Sequence, residues 1–360
     1  MKLTHSIHNN RGMALLITLA VTTLLVVTTI ELNRRARATV IATAAVRDRH
    51  RLSEILASGI NVAMAMLVED KKNTVADSVQ EDWADPEKVK SLLESIPFDE
   101  GKLEVGISDE LSRIQVNALV KFPDSRTFNE KQVELWDRFL KLAFLAYEHP
   151  DEIDPANTII NSLKDWLDSG DDDAITGLTG AESDYYLDLD PPYSIRNGPL
   201  THLNELLLVK AVTPELFYGT GELPGISSYL TVSGMTDVGG VDFTYDGKIN
   251  INTAEIPVLM ALLPEENRDL AVAISDFRIA KSDVTFNNDL SAGVGWYKQV
   301  PGAGDIDLDP GLITNQSDFF RIEAAAGLNG VSMTATVVVK RETEAESGQI
   351  RCRILSWELS

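Results

Sequence analysis

The sequence predicts an α+β protein in which a long N-terminal helix lies on an antiparallel β-sheet. A large α-helical block is inserted into the sheet region. Three observations carry this reading. Between residues 11 and 70 there is no proline, and the only glycines are Gly12 and Gly59. Apolar and polar residues alternate near residues 102–118 and again near 319–358, the period of half-buried strands. The stretch between those regions instead carries apolar residues three and four apart, the period of helices.

The chain opens on a short polar leader with Lys2 and Arg11, ending at Gly12. From Met13 to Ile30 there is no charge, glycine or proline. About 20 apolar residues are needed to cross roughly 30 Å of hydrocarbon in a helix, and this run just reaches that length. Arg34, Arg35, Arg37, Arg47, Arg49 and Arg51 follow it. With Lys2 and Arg11 on the other side, the charges alone leave the membrane orientation undecided. Leu52, Ile55, Leu56, Ile60, Ala63, Met64 and Leu67 then form an apolar stripe, so the lower part of the helix should pack on the sheet.

A short helix is expected from Pro86 to Ile96. Lys102–Ser108 and Arg113–Ala118 both alternate, and read as a β-hairpin turning at Asp109-Glu110-Leu111-Ser112. Helices are expected at Phe128–Tyr147, Ile159–Leu167, Leu203–Val212, Pro214–Tyr218, Pro257–Leu263 and Glu265–Ala280. Phe319–Ala326, a Gly327-Leu328-Asn329-Gly330 turn, Ser332–Lys340 and Arg351–Glu358 read as closing strands, rich in β-branched residues. The division expected is residues 13–34 as the anchor helix and 35–118 as the remaining helix with the first strands. Residues 119–309 are the inserted block, and 310–360 return to the sheet.

There are 55 Asp+Glu against 32 Lys+Arg, a net charge of −23. Such a surface repels phosphate backbones and argues against nucleic acid as a partner. One cysteine, Cys352, precludes an internal disulfide. His5, His8, His50, His149 and His202 lack zinc spacing. No nucleophile elbow, phosphate loop or triad order stands out, so an enzyme is not expected.

One acidic loop stands apart. Asp168, Asp171, Asp172, Asp173, Glu182, Asp184, Asp188 and Asp190 follow one another with no Lys or Arg among them. Carboxylates so crowded repel, and a hard divalent cation would relieve them. Glu182 lies eleven positions after Asp171, the span of an EF-hand loop. Ile175 and the late Gly177 break that pattern. Asp305-Ile306-Asp307-Leu308-Asp309 reads as a solvated loop.

The order basic leader, Gly12, apolar helix resembles a prepilin N-terminus. That resemblance implies cleavage by a prepilin peptidase after Gly12 and methylation of the new N-terminal Met13. Most family members carry Glu at the fifth mature position, and here it is Ile17. A subunit without that Glu suits the tip of a filament, where nothing lies above it. Three further motifs sharpen the resemblance. The first is Asp165-Trp166-Leu167-Asp168 with Gly180-Ala181-Glu182-Ser183-Asp184-Tyr185-Tyr186 and Pro191-Pro192-Tyr193. The second is Leu203-Asn204-Glu205-Leu206 with Val212-Thr213-Pro214-Glu215-Leu216. The third is Ile249-Asn250-Ile251-Asn252-Thr253-Ala254.

In this order they look like the general secretion pathway protein K family, the large minor pseudopilins of the type II secretion system. The resemblance implies a pilin-like fold with a large inserted helical domain. It implies an inner-membrane anchor with the body in the periplasm, and no catalysis. It implies assembly with minor pseudopilins I and J at the pseudopilus tip, alongside other pseudopilins and the inner-membrane secretion platform. It also implies calcium, for which Asp168, Asp171, Asp173, Glu182 and Asp184 are the candidate ligands. A rival reading takes Ile249–Ala254 as the start of a DNA-binding helix-hairpin-helix unit in an anchored uptake protein. The acidic residues that follow, Glu255, Glu265, Glu266 and Asp269, oppose it, and Thr253 is expected as a helix N-cap.

Overall fold

The computed structural model describes residues 11–95, 101–123, 125–146, 154–170, 175–221, 223–239, 242–283, 285–344 and 347–360. Helix α1 spans Arg11–Asn73 without a break. Its first half touches no other part of the fold, and Met13 through Ile30 are exposed throughout. It is the one helix among the described residues long and apolar enough to cross a membrane. The threonines on this stretch do not stand against that. Thr18, Thr22, Thr23, Thr28 and Thr29 return their hydroxyls to carbonyls three or four residues earlier, so their polarity is satisfied within the helix.

The second half of α1 is buried as its stripe predicts. Leu52, Leu56, Ile60, Ala63 and Leu67 pack on Phe320, Ile322, Ala324, Val337 and Val339 of a four-stranded antiparallel sheet. The strands are β1 (Lys102–Asp109), β2 (Phe319–Leu328), β3 (Val331–Thr343) and β4 (Ile350–Leu359), in that spatial order. Gly59 sits where β1 approaches the helix. A Cβ there would fall 2.9 Å from both Leu103 and Val105 side chains. Asn329 and Gly330, both at positive φ, make the tight turn between β2 and β3. Helix α2 (Pro86–Glu94), capped by the Asp85 side chain, lies beside β1. Cys352 is half-buried on β4 against Met64, and burial pushes its thiol up to about 11, away from reactive thiolate.

Between β1 and β2 the chain builds a second core. Helices α3 (Glu130–Ala146) and α4 (Pro155–Leu167) contribute Trp136, Phe139, Leu140, Leu163 and Trp166 to it. Short helices α5 (Ser183–Leu187) and α6 (Pro214–Tyr218) follow, then α7 (Ile256–Leu262) and α8 (Leu270–Ile279). Leu203–Leu208 is a 3₁₀ turn, shorter than the helix expected there, and Glu265–Asn267 is likewise 3₁₀ before α8 begins. The run 305–309 buries Ile306 and Leu308 and turns its aspartates outward, where Asp307 pairs with Lys298 and Asp309 with Lys131.

The expected hairpin over residues 102–118 does not form. Strand β1 pairs with β2, from Lys102 opposite Gly327 to Asp109 opposite Phe320. The Asp109 carboxylate accepts the Leu111 amide and bends the chain into a 3₁₀ turn. Ile114-Gln115 then pairs in parallel with Leu230-Thr231. Ile114, Val116 and Leu119 belong to the helical core rather than the sheet core. The buried polar residues at this turn are the physical reason. Glu110 makes a two-pronged ion pair with Arg321 at 2.8 and 2.9 Å, accepts the Thr231 hydroxyl at 2.6 Å and meets Arg113. Its partners lie on both lobes, so the turn is a joint.

Thr253 also departs from expectation. Its hydroxyl donates to Asp109 Oδ2 at 2.6 Å, and the residue preceding α7 is Glu255. Asn250 donates to the same oxygen at 2.7 Å, while Asn252 accepts from the Trp296 indole at 2.6 Å. The Ile249–Ala254 segment therefore ties its polar side chains into the interior. Burial raises the Asp109 carboxyl above its ordinary range, against the pull of these donors.

Candidate functional site: a buried carboxylate cluster

Helix α4 delivers the first part of the site. Asp154 caps its start by accepting the Asn157 amide, with Pro155 at the first helical position. At its far end Asp165 and Asp168 stand three residues apart, so both project to one side. The chain then loops back and delivers Glu182 at the residue before α5. Asp165, Asp168 and Glu182 are all buried, and each offers a carboxylate oxygen within 4.8 Å of the others.

Asp165 organises the loop. Its carboxylate accepts the Thr176 amide at 3.1 Å and the Ala181 amide at 2.8 Å. Burial nonetheless raises its pKa above the ordinary carboxylate value. Asp168 accepts the Lys164 ammonium at 2.8 Å and the Gly170 amide at 3.2 Å. From the opposite side, the Lys210 ammonium donates to the carbonyls of Thr179 and Gly180 at 3.1 and 3.3 Å. Trp166 packs edge-on against Tyr186 at 5.1 Å, fixing α4 to α5. Gly180 is required by contact. A Cβ there would lie 2.2 Å from Asp165 Oδ2 and 2.7 Å from the Thr176 carbonyl.

Asp165, Asp168 and Glu182 form an acidic cluster largely withdrawn from bulk water, with Lys164 on Asp168 and Lys210 on the neighbouring carbonyls. Oxygens up to 4.8 Å apart can share one ion at calcium's usual 2.3–2.6 Å, on the order of half that separation. The donor set is all oxygen, as a hard cation requires. The residues present therefore fit calcium as part of its shell of six to eight ligands.

The sequence-based candidates divide accordingly. The structure brings Asp168 and Glu182 together. Asp171 and Asp173 lie outside the described residues. Asp184 is exposed in the first turn of α5 and is not one of the three converging side chains. Asp165, which is not among the sequence-based candidates, converges with Asp168 and Glu182, and its spacing from Asp168 on a helix was a usable signal. Gly12 stands at the start of α1 with nothing within 4 Å of where its Cβ would be, and Met13 after it is exposed.

A second acidic group, Asp70, Asp77 and Glu81, lies where α1 ends. Here a guanidinium already supplies the counter-charge. Arg341 of β3 pairs with both Asp70, at 2.8 Å, and Asp77. Burial still pushes Asp77 up to about 6. Glu81, raised by burial and by the neighbouring Asp70 charge, reaches about 7.

Three comparisons agree with this architecture. Residues 112–219 match the family model of type II secretion system protein K. The type II secretion system protein K of Pseudomonas aeruginosa is 28% identical over 189 residues, covering 52% of this chain and 46% of that protein. The chain thus spans about half the length of the curated relative it matches. The fold also matches a chain in the crystal structure of the GspK-GspI-GspJ complex from enterotoxigenic Escherichia coli. The TM-score is 0.62 at 16% identity, over 88% of this chain and 99% of that one. The resemblance to protein K read from the sequence motifs is borne out, and so is the pilin-like α+β fold with its helical block.

Proposed function

We propose that this chain, which carries a type II secretion system protein K domain, works at the tip of the pseudopilus and starts its assembly. The observation that carries this reading is the division of α1. Its lower half is buried under a sheet, while its upper half is apolar and touches nothing in the fold. Such a rod can rest in the inner membrane and later pack among like helices. Cleavage after Gly12 by a prepilin peptidase would free Met13 for methylation.

Two features favour the tip. Ile17 offers no carboxylate to a subunit above it. The helical lobe adds a second core beside the sheet, a bulk that a filament of small subunits has no room to enclose. The body stands in the periplasm on this reading, with minor pseudopilins I and J as its partners and the secretion platform beneath. The neighbour's crystal structure is of such a three-subunit complex. Calcium, held through Asp165, Asp168 and Glu182, with Asp171, Asp173 and Asp184 as further candidates, stiffens the lobe. No catalytic step is assigned.

Co-expression with the two neighbouring minor pseudopilins tests the reading. The full chain should co-purify with both, and its deletion should abolish export. If the chain purifies alone from cells holding both partners, and export survives its loss, the reading fails. The DNA-uptake alternative finds no support in the Ile249–Ala254 segment, whose Asn250 and Asn252 are fully buried.

A further inference from the structure

We propose that Arg34 and Arg37 form a binding site for the headgroup phosphate of an anionic glycerophospholipid, at the membrane surface where α1 leaves the bilayer. This rests on the reading of Met13–Ile30 as the membrane-spanning part. Arg34 and Arg37 lie four and seven residues beyond Ile30, about 6 and 10 Å along the axis. The headgroup layer reaches roughly 5–8 Å beyond the hydrocarbon on each side, so Arg34 lies within it and Arg37 just above it, where a long side chain reaches back towards the same phosphate.

Three residues apart, they share one face of the helix. Both are exposed, and among the described residues neither has an ion pair or hydrogen bond. Arg35 behaves differently, because it points to another face and pairs with Glu31 at 2.8 Å. Two like charges on adjacent turns repel and cost a few tenths of a kcal/mol in an isolated helix. An anion between them removes that cost. A guanidinium pair suits a phosphate, since each planar fork offers parallel donors to its oxygens.

The remainder of the protein makes the placement more telling. In a chain of net charge −23, bare arginines stand where the body would otherwise meet an anionic bilayer with repulsion. The fixed height of the pair on a rigid helix would also set how far the anchor sinks.

The test uses the full chain in mild detergent, offered phosphatidylglycerol and phosphatidylcholine in competition, with bound lipid counted by native mass spectrometry. Each surface arginine contributes ~5-fold to anionic-lipid affinity, so the pair predicts about a 25-fold preference for phosphatidylglycerol. Arg34→Gln/Arg37→Gln should bring the preference close to unity, while Arg49→Gln, farther up the helix, should leave it intact. Equal retention of the two lipids by the unaltered chain overturns the site. So does an undiminished preference in the double variant. Alkaline carbonate extraction of membranes separates the two readings. A chain released by carbonate loses its span and the site with it, while a retained chain without lipid preference loses the site alone.

Discussion

Arg341 and Asp77, 264 residues apart in sequence, form an ion pair at the heart of the joint between helix, sheet and helical lobe. Both side chains are almost wholly removed from water. Arg341 also donates to the carbonyls of Leu67 and Ser317, and its guanidinium lies over Phe320 at 4.7 Å. Asp77 in turn accepts the Ser317 amide at 2.7 Å. One cation thus fastens the end of α1, the segment after it and the approach to β2.

Replacing Arg341 with Met would keep the bulk of the side chain and leave Asp77 without its counter-charge. Breaking a buried pair from one side costs about 3–5 kcal/mol. Denaturant unfolding of the full chain in detergent should show a loss of that order. A loss below about 1 kcal/mol would mean that the pair does not hold the joint.

Glu81 gives a pH signature. Its folded pKa, about 7, lies above the ordinary carboxylate value. Folding therefore takes up a proton, and stability falls as pH rises from about 4 towards that value. Glu81→Gln keeps an oxygen for the donors that now reach the carboxylate, the Ser78 amide and the Trp83 indole. Allowing for partial solvent exposure, the variant should be more stable than the parent by about 1–2 kcal/mol at pH 8 and indistinguishable at pH 5. Parallel stability curves across that range would contradict the assignment.

The carboxylate cluster makes a paired forecast. Calcium at a hundredfold above its dissociation constant should stabilise the full chain by about 2.7 kcal/mol. Glu182→Gln should remove most of that gain. Gly180→Ala should destabilise the chain even without calcium, by about 1–3 kcal/mol, because its methyl group meets the Asp165 carboxylate and the Thr176 carbonyl. Thermal melts with calcium and with chelator check both, and a calcium-independent melt of the parent would remove the metal from the account.

Processing can be followed by mobility on a gel. A bulky residue at Gly12 should leave the chain at its precursor size and stop export. Ile17→Glu should be processed normally and disturb export mildly or not at all. Mature-sized protein from the Gly12 variant would end the prepilin reading.

The elements legible in the sequence were those that one periodicity decides. The stripe from Leu52 to Leu67, the closing strands and the helices α3 and α4 follow directly from spacing. The hairpin failed because alternation at Arg113–Ala118 says only that one face is buried, not against which core. Asp109 and Glu110 look like solvated turn residues in sequence, yet their partners, Asn250, Thr253 and Arg321, lie more than a hundred positions away. Thr253 was misread for the same reason, since its position favoured a cap while a distant carboxylate claimed its hydroxyl. At the carboxylate cluster, acidic density pointed to the loop in which Asp168 and Glu182 converge. Asp165 escaped notice because a buried carboxylate bonded to its own loop resembles an ordinary helical Asp.

The sheet order has a bearing on how the molecule comes into being. Strand β1 leaves the ribosome early, but its neighbour β2 belongs to the last quarter of the chain. Throughout synthesis of the intervening lobe, the apolar stripe of α1 has no floor and β1 has an open edge. The lobe, built largely from contacts within itself, can settle first and hold the two ends of the sheet near each other. Chains cut short before β2 would then retain a sound lobe on an uncovered rod, a species inclined to clump and fit for proteolytic disposal.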